Sequence, residues 1–160
     1  MPNNFNVTET IHTSWTVSNL DAAVARFSEC FGFEVVAQID GPADVNETLT
    51  GVKDAPLKIA HLRVPGGHFV ELIQYLGPDG RDSLGARPCD TGAAHIALGV
   101  DDLDAAVAGA QSHGIKLMNG VMELYDPGLE GVKACYLKDP DGIMIELIQW
   151  NADGNPFLKM

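Results

Sequence analysis

The hydrophobic pattern of this chain is written twice. A short β-like run carrying a histidine comes first, Ile11–Val17 in one copy and His95–Val100 in the other. A helical pattern follows, LDAAVARFSECF or LDAAVAGAQSHG, with apolar positions recurring at helical spacing. Asn19 and Asp102 stand where an N-cap is needed, and Asp21 and Asp104 suit the positive end of the helix dipole. Gly32 and Gly114 stop the two helices. A strand comes next, FEVVAQI or IKLM, and then a long polar stretch, Asp40–Pro56 or Asn119–Gly131. Each copy closes on a β-hairpin that turns at VPGGH or DPDGI. The two last strands read VELIQ, residues 70–74, and IELIQ, residues 145–149.

Each copy therefore predicts β-α-β-β-β, and the fold class is α+β: two tandem βαβββ modules forming a cupped mixed sheet. Module one runs over about 8–76 and module two over about 93–151, within one domain spanning 1–160. The Gly-, Pro- and Asp-rich segment 77–92 reads as the linker. A single module leaves one face of its sheet bare. A second module, of the same chain or of another copy, covers that face and creates a central cup.

A glutamate inside an apolar strand is costly to bury without compensation. The repeat makes Glu71 equivalent to Glu146, and His12 equivalent to His95. Each histidine belongs to the first strand of its module and each glutamate to the last. If the modules pair about a pseudo-twofold axis, all four side chains converge in the cup. Two imidazoles and two carboxylates form a mixed N/O set that suits Zn, Ni, Co, Fe or Mn and leaves coordination positions open. The competing reading puts the glutamates on a solvated strand face; the duplication of both residue types favours the metal.

Further residues have two readings each. His61 aligns with Tyr136 on the strand before each glutamate, where both would face the pocket as acid–base or hydrogen-bonding groups, or simply pack. Strand alternation places His68 on the face opposite Glu71 and Trp15 on the face opposite His12, under the helix. His113 suits a helix C-terminus as an exposed residue. The two polar stretches are expected to be rims or lids over the cup. Met118, Met122 and Tyr125 would line an apolar entrance or pack in the core.

Composition narrows the partners. The chain has 160 residues, 46% hydrophobic and 20% charged, with a formal net charge of −12. That balance disfavours nucleic acid and anionic membrane. The opening MPNNFNVTET has neither a basic n-region nor an apolar stretch, so no signal peptide is expected. The odd set of Cys30, Cys89 and Cys135 points to a reducing cytoplasm with buried or inert thiols.

The motifs HTSWTVSNLDAAVARFSECFGFE and AHIALGVDDLDAAVA…YLKDPDGIMIELIQ resemble the vicinal oxygen chelate superfamily, over Ile11 to about Trp150. That superfamily includes glyoxalase I, methylmalonyl-CoA epimerase, extradiol dioxygenases, and fosfomycin- and bleomycin-resistance proteins. The resemblance implies one divalent metal ion (Ni, Co, Zn, Mn or Fe) held by His12, Glu71, His95 and Glu146. It also implies a small-molecule substrate chelating through adjacent oxygens, and a homodimer. The ligand order looks like glyoxalase I and is close to methylmalonyl-CoA epimerase. It implies a lyase, isomerase or epimerase that abstracts a proton beside the chelated carbonyl, with Glu146 or Glu71 as the base. The alternatives are an Fe(II)-dependent ring-cleaving dioxygenase, or a non-enzymatic small-molecule-binding or resistance protein. Bacterial glyoxalase I typically carries Arg and Asn where this chain has Thr16 and Tyr75, which argues against glutathione. A CoA substrate would want a basic rim; of the 10 Lys and Arg, Lys53, Lys58 and Arg63 are candidates for it or plain surface charges.

Overall fold

The computed structural model describes residues 5–156. The first four residues of the opening MPNNFNVTET, and the last four of the domain expected over 1–160, lie outside them. Two compact units are present, Met1–Gly80 and Arg81–Met160.

The first unit runs β1 (Thr13–Thr16), α1 (Leu20–Phe31), β2 (Glu34–Gly41), α2 (Ala43–Thr50), β3 (Leu57–Arg63) and β4 (Phe69–Tyr75). Its sheet has the order β1-β4-β3-β2. The β1–β4 pair is parallel and the others are antiparallel. The Asn19 side chain accepts from the Ala22 N–H at 3.0 Å, as an N-cap should. Gly32 ends α1 in the left-handed region at φ 69°, which a side chain rarely tolerates. Ala23 and Phe27 of α1 and Ala60, Leu62, Val70 and Leu72 of the sheet are fully buried. Trp15 stacks on Phe27 with ring centroids 5.9 Å apart, so it lies on the helix side. Burial of a side chain such as Phe27 is worth about 1.5–3 kcal/mol.

The second unit runs β5 (His95–Gly99), α3 (Leu103–Ser112), β6 (Lys116–Leu117), β7 (Met122–Glu123), β8 (Lys133–Lys138) and β9 (Met144–Gln149). The order is β5-β9-β8-β6, with β7 also paired to β8. Asp102 caps α3 through the Ala105 N–H at 3.0 Å. Leu103, Ala110, Leu137, Ile145 and Leu147 form its core. No described helix is long and apolar enough to cross a membrane.

The two units share one register. Ser14 sits beside Glu71, and Ala97 beside Glu146, in the parallel ladders. His61 sits opposite Glu71, and Tyr136 opposite Glu146, in the hairpins. The glutamine after each glutamate is also placed alike. Gln74 Oε1 accepts from the Leu20 N–H at 2.8 Å, and Gln149 Oε1 from the Leu103 N–H at 2.9 Å. The last strand thereby satisfies one orphan donor at the start of each helix.

Several expectations are corrected. His12 precedes β1 by one residue instead of lying within it. The stretch Asp40–Pro56 is not simply a loop: it contains the end of β2 and all of α2. Pro42 opens α2 and Gly51 closes it at φ 74°, while buried Asn46 donates to the carbonyls of Gly41 (2.9 Å) and Ala55 (3.2 Å). In the second unit the edge strand is split: β6 and β7 pair successive parts of β8, so Asn119–Gly131 supplies a short strand as well as turns. His113 is half-buried, with Nδ1 2.8 Å from the Gly109 carbonyl oxygen. Of the thiols expected to be buried or inert, Cys135 is buried, Cys30 is half-buried and Cys89 is exposed.

The DPDGI turn rests on one side chain. Asp139 is 4% exposed, and its Oδ1 accepts from the Asp141 N–H at 2.9 Å and the Ile143 N–H at 2.8 Å. Asp139→Ala leaves both donors without that acceptor, which should cost about 1–3 kcal/mol. Chemical denaturation checks this; an unchanged midpoint would contradict the role of the carboxylate.

Candidate metal centre

In the first unit, the face of the sheet away from α1 carries the polar cluster. Alternation sends Val70 and Leu72 toward the helix and Glu71 to the other face. The Glu71 side chain is 14% exposed, and each of its oxygens meets a different imidazole. Oε2 lies 3.4 Å from His12 Nε2, and Oε1 lies 3.2 Å from His61 Nε2. The His12 and His61 rings meet edge to face at 5.7 Å. His12 Nδ1 is buried and has no hydrogen-bond partner among the described residues.

The second unit repeats this arrangement with one change. His95 Nε2 lies 3.1 Å from Glu146 Oε2. Tyr136 takes the place of His61, its hydroxyl 3.4 Å from His95 Nε2 and its ring edge-on to His95 at 5.2 Å. Burial pushes the Tyr136 phenol above its ordinary value. The Glu146 charge and a hydrogen bond to Glu146 push it the same way. The phenol therefore stays protonated at neutral pH and acts as a donor.

The structure thus brings His12 to Glu71 and His95 to Glu146, each pair within its own unit. It also gives His61 a more central place than a pocket wall. One ligand atom from each of His12, His61 and Glu71 lies within 4.8 Å of the other two. Two imidazole nitrogens and a carboxylate oxygen at that spacing fit a borderline divalent cation. The sequence signal for His61 was available. Counting back equally from the VPGGH turn sets His61 across from Glu71, as the same count from DPDGI sets Tyr136 across from Glu146.

The remaining side chains fall elsewhere. His68 is exposed and lies 3.0 Å from Thr13 Oγ1, outside the cluster. Arg63 is engaged by Glu34 at 3.2 Å and lies over the Phe69 ring. Met118, Met122 and Tyr125 are 37%, 58% and 77% exposed, which rules out core packing for them. Ile39 is exposed on the strand paired with β3, so apolar surface borders the donors.

The chain thus has duplicated βαβββ modules, each with a His–Glu pair on the helix-free face of its sheet. The model of the Glyoxalase/Bleomycin resistance protein/Dioxygenase superfamily matches residues 10–147, and the chain belongs to that superfamily. A curated relative, the 2-epi-5-epi-valiolone epimerase of an Actinomyces species, is 33% identical over 91% of this chain and 81% of its own length. Among solved structures, a glyoxalase family protein from Bacillus cereus superposes with a TM-score of 0.79 at 24% identity, covering 92% of this chain and 97% of that one. A fosfomycin resistance protein from Listeria monocytogenes, complexed with Mn(II) and sulfate, superposes with a TM-score of 0.60 at 16% identity, covering 92% and 97%. These two likenesses show the fold. Membership and the epimerase relative support a metal-dependent enzyme of the superfamily.

Proposed function

We propose that this protein is a divalent-metal-dependent epimerase or isomerase of a small polyhydroxylated ketone, with His12, Glu71, His95 and Glu146 as the metal ligands. The observation that carries the reading is the repeated half-site: a histidine and a glutamate 3.4 Å apart in one unit and 3.1 Å apart in the other. The epimerase relative supports the reaction type and suggests the substrate class, a cyclic hydroxy-ketone. The metal is Ni, Co, Zn, Mn or Fe, and when bound it supplies Lewis acidity at the carbonyl oxygen.

The chain's own residues have distinct tasks. One glutamate accepts the proton as the C–H bond beside the carbonyl breaks and the electron pair moves toward the carbonyl oxygen. The other glutamate enters as the carboxylic acid and gives its proton to the same carbon from the opposite side as the electron pair returns from the oxygen, which inverts the carbon and leaves that glutamate a carboxylate. Tyr136 donates hydrogen bonds at the second half-site. Three free cysteines support a reducing, cytoplasmic setting, and the family resemblance supports a homodimer.

The test is incubation of metal-loaded protein with 2-epi-5-epi-valiolone and related hydroxy-ketones in D2O, followed by NMR. Epimer formation with deuterium at the inverted carbon is expected. Oxygen consumption with ring cleavage of catechols, and no exchange on any ketone, would point instead to the dioxygenase branch.

A further inference from the structure

The two half-sites are not equal. Each glutamate has a cross-strand neighbour at the same register, but that neighbour is His61 in the first unit and Tyr136 in the second. Imidazole is a ready ligand for borderline divalent metals, whereas a neutral phenol is not. The first unit therefore offers three donors and the second offers two. The His61 ring is half-buried, its Nε2 faces Glu71 Oε1 at 3.2 Å, and its donor atom falls within the 4.8 Å cluster with His12 and Glu71. A cation seated among them would be ligated by the atoms that face one another here.

We propose that His61 is a metal ligand, and that His12, His61 and Glu71 of the first unit capture a divalent cation by themselves, before His95 and Glu146 contribute. The proposal rests on the metal reading above and deepens it. It makes metal loading a two-stage process in which the first unit selects the metal. Two imidazoles and one carboxylate favour Co, Ni, Zn or Fe over Mg or Ca, whose preference is for all-oxygen sites.

The test uses the full chain, stripped of metal, titrated with Co(II) and followed by visible absorption and by the NMR signals of the histidine rings. His61 ring protons should be among those shifted by Co(II) in the wild type. The double variant His95→Gln/Glu146→Gln should still bind Co(II), more weakly than the wild type. Adding His61→Phe to it should weaken binding by about 10–100-fold or more. His61→Gln serves as a second variant, and metal-free melting curves confirm that each is folded. Equal Co(II) affinity with and without His61, or unshifted His61 signals, overturns the proposal. Loss of all binding in the double variant overturns it too, while leaving the four-ligand reading standing. Equal binding by wild type and double variant removes His95 and Glu146 from the site and leaves the first-unit site intact. A wild type that binds no Co(II) removes both.

Discussion

Stripping divalent metal from the purified protein is expected to lower the epimerase turnover proposed above by about 10³-fold or more. A Lewis acid at a carbonyl oxygen stabilises developing negative charge by several kcal/mol, and each 1.36 kcal/mol is about tenfold in rate. The described residues around Glu71 are two imidazoles, and those around Glu146 are an imidazole and a neutral phenol. Activity should return on adding Ni, Co, Zn, Mn or Fe to the chelated protein, and not on adding Mg. Loss of metal should also lower the melting temperature, because a ligand that binds only the folded chain stabilises it by mass action. Full turnover after exhaustive chelation would exclude a metal role.

Glu146→Gln is expected to lower turnover by about 10²–10⁴-fold even with saturating metal, the range for losing a general acid or base. The change keeps the shape of the side chain but removes its ability to take a proton. The side chain is 20% exposed, and Leu147 and Ile145 beside it hold the strand independently, so folding should be spared. Glu71→Gln should act at the same step, from the other half-site. If the two glutamates handle the proton on opposite faces, solvent deuterium should enter unequally in the two variants. One variant should still exchange the substrate proton without inverting the carbon. Two variants that both keep wild-type turnover would sink the carboxylate mechanism while leaving metal binding untouched.

Much of this molecule was legible in the chain because its duplication doubles each signal. LDAAVA after a β-like run fixed the helices, with Asn19 and Asp102 capping them as their positions require. The odd glutamates of VELIQ and IELIQ marked the helix-free faces, since their apolar neighbours Leu72 and Leu147 are fully buried on the other side. The repeated glutamine was visible too, but its meaning needed the fold: Gln74 and Gln149 reach back to the starts of α1 and α3. The two long polar stretches were harder to read. ADVNETLT has little apolar periodicity, and α2 is held by Pro42, Gly51 and the buried amide of Asn46 instead. The split of the second edge strand into β6 and β7 depends on pairing to β8, which no local pattern encodes. For His61 the sequence allows a pocket role or plain packing, and its contact with Glu71 comes from the register of the hairpin about its turn.

Elemental analysis of the protein as purified, with metal titration of the stripped form, tests the metal centre most directly. About one equivalent of a divalent transition metal per chain is expected, with a rise in melting temperature when that metal is returned. Protein that carries no such metal, binds none on titration and melts at the same temperature with and without it would contradict a metal centre built on His12, Glu71, His95 and Glu146.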